Sequence, residues 1–207
     1  MSSVAVLEPL LDPQEQARAD LYALIARLYA GPPDAALLRA IGAAEALPAV
    51  TEEAPLAQTW RVLQAAAAGL SPVAIQEEYE RLFVGVGRAE ISLYVSYYLK
   101  EVVVDSALAR LRGELAQLGL TRHEAAHEPE DHIACLAEAM RCLIQGDGAG
   151  PAAGLAEQSR FFAHWLGPEH GALAAAIQTA PGSRFYRAVS RFAGAFFAVE
   201  AEAFEMA

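Results

Sequence analysis

The stretch DPQEQARADLYALIARLYAGPP, residues 12–33, carries a complete set of helix signals. Asp12 is a typical N-cap, Pro13 suits the first helical position and Glu15 completes a capping-box-like pattern. Apolar residues then recur at helical spacing, at Ala17, Leu21, Leu24, Ile25 and Leu28. Gly31 and the two prolines after it end the pattern. The sequence therefore predicts a well-delimited amphipathic helix near the start of the chain.

Most of the remaining chain shows the same helical pattern. The last segment, 181–204, spaces its apolar residues 4, 3, 4 and 3 positions apart, which predicts one buried stripe. The stripe consists of Phe185, Val189, Phe192, Phe196 and Val199. Further helices are predicted at 34–47, 51–68, 72–83 and about 129–145, around FFAHWL (161–166), and after Pro168. We expect an all-α, single-domain bundle of about 8–10 helices over residues 1–207.

The segment VGVGRAEISLYVSYYLKEVVVD, residues 84–105, is ambiguous. Its β-branched and aromatic residues suit a strand. The neighbouring segments are all helical in pattern, so a single strand would have nothing to pair with. We therefore expect a glycine-containing loop at 84–92, and then a helix from about 94 to 118 that ends before Gly119.

Charge excludes some classes of partner. The formal net charge is −11, and Lys100 is the only lysine. A phosphate-binding surface needs clustered positive charge, so nucleic acid is a poor partner. A basic or amphipathic peptide is better, because opposite charge steers encounter. An acidic surface also simply keeps a protein in solution.

The chain has no pattern of secretion or membrane insertion. The N-terminus MSSVAVLEPL lacks a basic region, and the longest uncharged run, residues 62–76, is 15 residues long. Cys135 and Cys142 are the only cysteines and lie seven positions apart. We interpret them as reduced thiols of a cytoplasmic protein that fill space in the core.

The stretch HEPEDH, residues 127–132, combines two histidines with three carboxylates. Histidines five apart on a helix point roughly 140° apart, unlike the four-residue spacing of a zinc-protease helix. A metal site would use His123, His127, Glu128, Asp131 and His132. Alternatively, Pro129 opens a helix and the carboxylates favour its positive end. The helix-start interpretation leaves His132, beside Ile133, unexplained.

Other signs of chemistry are weaker. GVGRAE (85–90) lacks the Lys-Ser/Thr of a phosphate loop, and no G-x-S-x-G pattern marks a serine nucleophile. Tyr94, Tyr97 and Tyr98 fit a helix face that packs in the core or, as the second choice, binds a peptide. No residue is assigned a catalytic role.

Three segments in a fixed order resemble one family. EYERLFVGVG (78–87), EPEDHIACLAEAM (128–140) and FFAHWL (161–166) together resemble the TorD/DmsD/NarJ group of redox-enzyme maturation chaperones. The resemblance extends from about residue 14 to 204. It departs from the family where RAEISLYVSYYL replaces a proline-rich segment, and where Trp165 directly follows His164.

The resemblance implies a function without catalysis or cofactor. Such proteins are cytoplasmic chaperones that bind the apo form of a molybdopterin oxidoreductase, its twin-arginine signal peptide, or both, and assist cofactor insertion before export. The S-Y-Y-L version resembles a sub-branch found beside formate dehydrogenase or related enzymes. Family members occur as monomers or as homodimers that exchange helices, and we expect a hinge at 121–130.

The resemblance also implies a signal-binding site. Asp131 would accept from an arginine of the signal, and His132 would hold the groove's geometry or sense protonation. Glu128 and Pro129 would set the loop-to-helix junction. The remaining residues are an apolar wall and a glycine that lets the loop turn tightly: Tyr79, Leu82, Phe83, Tyr94 and Gly85. Alanine at Asp131 or His132 is expected to weaken client binding and leave the fold intact.

Overall fold

Helices make up the fold. The computed structural model describes residues 11–47, 54–85, 89–99, 104–121, 128–146 and 151–206. These residues form α1 (Pro13–Ala30), α2 (Ala35–Ala43), α3 (Pro55–Gly69), α4 (Pro72–Tyr79), α5 (Val104–Gln117), α6 (Ile133–Gln145), α7 (Leu155–Trp165), α8 (Gly167–Thr179) and α9 (Phe185–Glu205). A π-helical turn at Glu80–Val84 continues α4, and a short 3-10 turn lies at Val95–Tyr97. The predicted all-α bundle is confirmed for these parts of the chain.

Short polar side chains begin several helices. Asp12 Oδ1 accepts from the Gln14 N–H at 2.8 Å, as the sequence predicts for α1. Asp34 caps α2 and Ser71 caps α4 in the same way. Each cap satisfies one of the N–H groups that a helix start leaves without a partner.

The core lies between the long helices α1 and α9 and the helices that pack against them. α1 packs mainly against α6, and α9 packs against α3 and α8. On α9, Phe185, Val189, Phe192 and Phe196 are buried as predicted, but Val199 is 47% exposed. The 4-3-4-3 spacing averages 3.5 residues, less than the 3.6 of a helix turn, so the stripe drifts around α9. No helix in the described parts of the chain has the length and apolarity needed to cross a membrane.

A buried ion pair joins α1 to α9. Arg18 donates through Nε and Nη2 to the two carboxylate oxygens of Glu200, both at 2.8 Å. The Tyr22 hydroxyl donates to the same carboxylate at 3.0 Å. Burial and the neighbouring Glu200 hold the pKa of Tyr22 well above its usual value, so the hydroxyl remains a donor. These contacts fix the position of α1 relative to α9.

A buried carboxylate of α4 caps α9 from a distance. Glu78 is 7% exposed and accepts the backbone N–H groups of Arg184, Phe185 and Tyr186 at 2.8–3.1 Å. A carboxylate is favoured there because the start of a helix carries partial positive charge. The contact also fixes α4, and with it the neighbouring Tyr79.

The predicted helix over 94–118 is wrong in its first part. The described residues of this segment form the 3-10 turn at Val95–Tyr97, and α5 begins at Val104. The Val95 N–H donates to the Asp131 carbonyl, and the Ile133 N–H donates to the Leu93 carbonyl, both at 2.9 Å. These bonds form an isolated antiparallel bridge between Tyr94 and His132. The extended segment therefore has a partner, which is the start of α6 and not another strand.

The start of α6 also differs from the prediction. The helix begins at Ile133, and Pro129 lies in the turn before it, where its carbonyl accepts from the His132 N–H at 3.1 Å. Because the backbone at Asp131 and Ile133 bonds to the 93–95 segment, residues 129–132 cannot join the helix. His132 becomes the N-cap residue.

His170 on α8 is expected to make stability depend on pH. It is 3% exposed against the ring of Phe197, and burial lowers its pKa to about 4. The folded state therefore binds the proton less well than the unfolded chain, so stability falls as the pH drops below about 6.5. We expect His170 to cost about 2 kcal/mol of unfolding free energy between pH 7 and pH 5. Urea unfolding of the wild type and of His170→Leu at both values measures this cost.

The difference between the two proteins is the test, because carboxylates also titrate in this range. His170→Leu should lose less stability than the wild type on acidification. Parallel losses would show that His170 is protonated without cost to the fold.

Candidate functional site

The E-P-E-D-H segment meets the segment around Tyr94 at the bridge between Tyr94 and His132. The side chain of Asp131 is 4% exposed and accepts from the Ser96 hydroxyl. The Tyr94 ring packs edge-on against the His132 ring, with 5.5 Å between centroids. The tertiary structure thus joins two segments that are more than 30 residues apart in sequence.

His132 is a neutral N-cap of α6. Its Nδ1 accepts the Ala134 N–H at 3.2 Å, so Nδ1 is unprotonated and the proton of the neutral ring lies on Nε2. Burial lowers the pKa of His132, although Glu128 and Asp131 act in the opposite direction. The cap accounts for the position of His132 beside the apolar run, which the helix-start interpretation left unexplained.

Two substitutions at His132 separate capping from ligand contact. His132→Ala is expected to lower the unfolding free energy by about 1 kcal/mol through the lost cap, whereas His132→Asn should keep most of it. Urea unfolding measures both. If the two variants are equally unstable, the cap contributes nothing measurable. If both bind client less well but only His132→Ala is less stable, the imidazole itself contacts the client.

A second polar contact covers the outer side of the bridge. The Tyr94 hydroxyl donates to Glu128 Oε2 at 2.6 Å. This hydrogen bond, with partial burial, raises the pKa of Tyr94 to about 12, so the hydroxyl is protonated at neutral pH. Glu128 itself is exposed. Its second oxygen can accept from a ligand while the first holds Tyr94.

A groove of about 710 Å³ runs between α1 and α6. Its floor consists of small side chains: Ala23, Ala26 and Ala30 of α1, and Ala134, Cys135, Ala139 and Cys142 of α6. Leu115 and Leu120 close one side. The small floor residues leave room for bulkier apolar side chains of a ligand.

Carboxylates line the rim of this groove. Glu128, Glu130 and Glu138 face it, and Arg27 is the single cation among its lining residues. Glu130 already pairs with Arg112 at 3.0 Å and Glu138 pairs with Arg141 at 2.6 Å. Glu128 is exposed and Glu138 is 49% exposed, so both are accessible to a cationic ligand.

The predicted site residues divide between two neighbouring surfaces. Glu128 and His132 line the α1–α6 groove, whereas Tyr79 and Gly85 line a second hollow of about 750 Å³ beside Pro32. The Tyr79 hydroxyl donates to the Tyr29 carbonyl at 3.1 Å, and Gly85 has φ 65° and ψ 166°, a conformation open to glycine alone.

The other predicted residues lie behind these surfaces. Leu82 and Asp131 are buried, so in this conformation they support the site from within. Phe83 packs edge-on against Tyr186, with 4.9 Å between ring centroids. Pro129 forms the turn before α6. Of the predicted site residues, Glu128 and Tyr94 are the exposed ones, whereas Tyr79 is half-buried against the core.

The cysteines were predicted to fill the core, and that prediction is wrong. Cys135 and Cys142 are half-buried and both line the groove. Seven residues on a helix return to nearly the same face, so both thiols lie on the groove side of α6. Sequence analysis also missed Glu138 and the alanines of α1. The available signal was an i, i+3, i+4, i+7 spacing on both helices, at Ala23, Ala26, Arg27 and Ala30 of α1 and at Cys135, Glu138, Ala139 and Cys142 of α6.

The metal alternative receives no support from the described residues. Within the ranges that the structure describes, no three His, Cys, Asp or Glu side chains come together as metal ligands would. His123 and His127 lie outside the described residues, as does most of the predicted 121–130 hinge.

The fold is a helical bundle whose cleft between α1 and α6 has carboxylates at its rim and small side chains at its floor. The family model described as nitrate reductase delta subunit matches residues 51–168, more than half of the chain. The chain belongs to this family, whose members are chaperones of molybdoenzyme maturation and not enzymes. The resemblance seen in the sequence is thereby confirmed. A search of the curated proteins finds no match.

Proposed function

We propose that this protein is a cytoplasmic chaperone for the catalytic subunit of a molybdopterin oxidoreductase of the formate dehydrogenase-like kind. It binds the apo form through a twin-arginine signal peptide and retains it until the cofactor is inserted and export can follow. The observation that carries the proposal is the groove between α1 and α6, which has carboxylates at its rim and small side chains at its floor. Family membership supplies the class of client.

The groove complements both halves of such a signal. A twin-arginine signal is basic at its start and apolar after it. Its arginines would bind Glu128 and Glu138 in charge-assisted hydrogen bonds. Its apolar part would lie on the alanine and cysteine floor, as a helix lies in a hydrophobic groove. From Ala134 to Cys142 the floor is about 12 Å long, which accommodates roughly two turns of a bound helix.

The remaining predicted residues position this site. Asp131 and His132 hold the 93–95 segment against the start of α6, which keeps Tyr94 and Glu128 in place. Tyr94 stands at the Glu128 end of the groove and would pack against the arginine stems.

The client is identified first by capture from the native cytoplasm. The tagged chain should retain one large molybdopterin-enzyme subunit that carries its uncleaved signal, as identified by mass spectrometry. If the captured subunit carries no signal, the client is a cytoplasmic enzyme. The groove would then not be explained by signal binding.

The groove is tested with the signal peptide of that subunit. We expect the double variant Glu128→Gln, Glu138→Gln to bind a fluorescent signal peptide roughly three- to tenfold more weakly at low salt, because each exposed ion pair contributes about 0.2–1 kcal/mol. The loss should shrink at high salt, because salt screens exposed charges. Fluorescence anisotropy measures both.

A matched control carries the same change in net charge elsewhere. Glu45→Gln, Glu202→Gln removes two exposed carboxylates that do not line the groove. It should bind the peptide nearly as the wild type does. Equal losses in the two double variants would mean that net charge, and not the groove, attracts the peptide.

A further inference from the structure

Three arginines form a basic stripe at the start of α9. Arg184 is the N-cap residue of the helix, and Arg187 and Arg191, four positions apart, share one face of its first two turns. Arg184 and Arg191 are exposed and Arg187 is half-buried. The apolar residues of α9, among them Phe185 and Val189, lie on a different face and are buried in the core.

No carboxylate neutralises this stripe in the described parts of the chain. Arg184 shares a hollow with Glu77, Glu78 and Glu90. None of the three guanidinium groups forms an ion pair in those parts, with these glutamates or with any other carboxylate. Instead, Arg187 Nη2 donates to the Ala180 carbonyl at 3.3 Å and Arg191 Nε donates to Gln178 Oε1 at 3.0 Å. These neutral acceptors from the end of α8 orient two of the guanidinium groups and leave their charge in place.

The stripe contrasts with the rest of the molecule. The chain has a net charge of −11, and an acidic protein gains nothing in solubility from a cationic strip. The helix start beneath the stripe does not offer a second site for an anion, because Glu78 already accepts its N–H groups. The positive charge therefore resides in side chains, each with several donors in a planar fork that matches a carboxylate.

We infer that this α9 stripe is a second docking surface, which binds an acidic polypeptide segment of a partner protein. This function is separate from the groove between α1 and α6, whose carboxylates select positive charge. One molecule thus presents surfaces of opposite sign to different parts of a partner. Complementary charge of this kind contributes mainly to the association rate and to register.

A polypeptide suits the stripe better than an anionic membrane does. A helix that lies on a bilayer needs an apolar face to insert, and the apolar face of α9 is buried in the core. Acidic peptide segments need only the exposed guanidinium groups.

The test uses a fluorescent twelve-residue peptide of alternating glutamate and alanine. The double variant Arg184→Gln, Arg191→Gln is expected to bind it roughly three- to tenfold more weakly than the wild type at low salt. Arg187 is left unchanged because its contact with Ala180 supports the α8–α9 turn. The matched control is Arg39→Gln, Arg61→Gln, which removes two exposed arginines from α2 and α3 and should bind as the wild type does.

Three outcomes overturn the inference. The first is the absence of measurable peptide binding by the wild type. The second is an equal loss in the stripe variant and its control. The third is retention by vesicles containing phosphatidylglycerol without binding of the acidic peptide, which would assign the stripe to a membrane surface. Binding of the signal peptide by the stripe variant is measured in parallel and should be unchanged, which separates this inference from the groove proposal.

Discussion

Replacing Glu200 with alanine is expected to lower the free energy of unfolding by about 3–4 kcal/mol. Glu200 is 2% exposed and accepts two hydrogen bonds from Arg18 and one from Tyr22. Without it, the guanidinium of Arg18, whose side chain is 12% exposed, keeps Glu15, at 2.8 Å, as its one ionic partner among the described residues. Removing one partner of a buried ion pair costs far more than the pair itself contributes. Urea unfolding followed by circular dichroism measures the loss.

Two comparisons identify the cause of that loss. Glu202→Ala removes an exposed carboxylate from the same helix and should change stability by less than about 0.5 kcal/mol. The double variant Arg18→Met, Glu200→Leu removes both charges and should recover much of the stability, because an apolar pair replaces an ionic one. A double variant no more stable than Glu200→Ala would show that packing, and not the unpaired charge, is responsible.

Replacing Glu78 with alanine is expected to lower the free energy of unfolding by about 3 kcal/mol, since hydrogen bonds to charged groups contribute roughly 1.5–3 kcal/mol each and water can replace part of them. Three backbone N–H groups at the start of α9 lose their acceptor. The helix start also loses the negative charge that its dipole favours. Urea unfolding gives the size of the effect.

The neighbouring residue supplies the control. Glu77 is exposed on the same helix, so Glu77→Ala should leave stability within about 0.5 kcal/mol of the wild type. Glu78→Gln keeps a carbonyl oxygen but introduces N–H donors towards other donors, so we expect an intermediate loss. If Glu77→Ala and Glu78→Ala destabilise the protein equally, the contact between α4 and α9 is not what holds the start of α9.

Glu78 and Glu200 also hold in place the helices that carry the proposed binding surfaces. Glu78 fixes α4, whose last residue is Tyr79, and it fixes the start of α9, where the basic stripe begins. Glu200 fixes α1, which supplies one wall of the groove. Variants at these positions should lose client binding in proportion to the fraction unfolded, whereas groove variants lose it while folded.

The helices of this protein were largely predictable. Local signals act within a few residues: the Asp12 cap, Pro13 and Gly31 define α1 without reference to the rest of the chain. The 4-3-4-3 spacing likewise predicted the buried face of α9 as far as Phe196. The prediction failed at Val199 because the 3.5-residue spacing of the stripe drifts away from the 3.6-residue turn of the helix. This drift becomes visible only over several turns.

The sequence suggested a position for the proposed site but not its construction. The E-P-E-D-H segment indicated where it lies, because the order of three motifs resembled a known family. Asp131 was expected to accept from an arginine of the signal, yet the structure buries it. His132, expected to hold the groove's geometry or sense protonation, is buried as the N-cap of α6. Burial depends on the segment at 93–95, which lies more than 30 residues away in sequence and appeared helical from its surroundings.

By itself, the sequence determined the helical class, most helix bounds, the acidity and the family, because each depends on local spacing, composition or motif order. Only the tertiary structure decided which faces meet. It placed the alanines of α1 opposite the cysteines of α6, and it brought Glu78 to the start of α9 and Glu200 to Arg18. Pairings between distant segments depend on how whole helices pack, and helix periodicity fixes a face but not its partner.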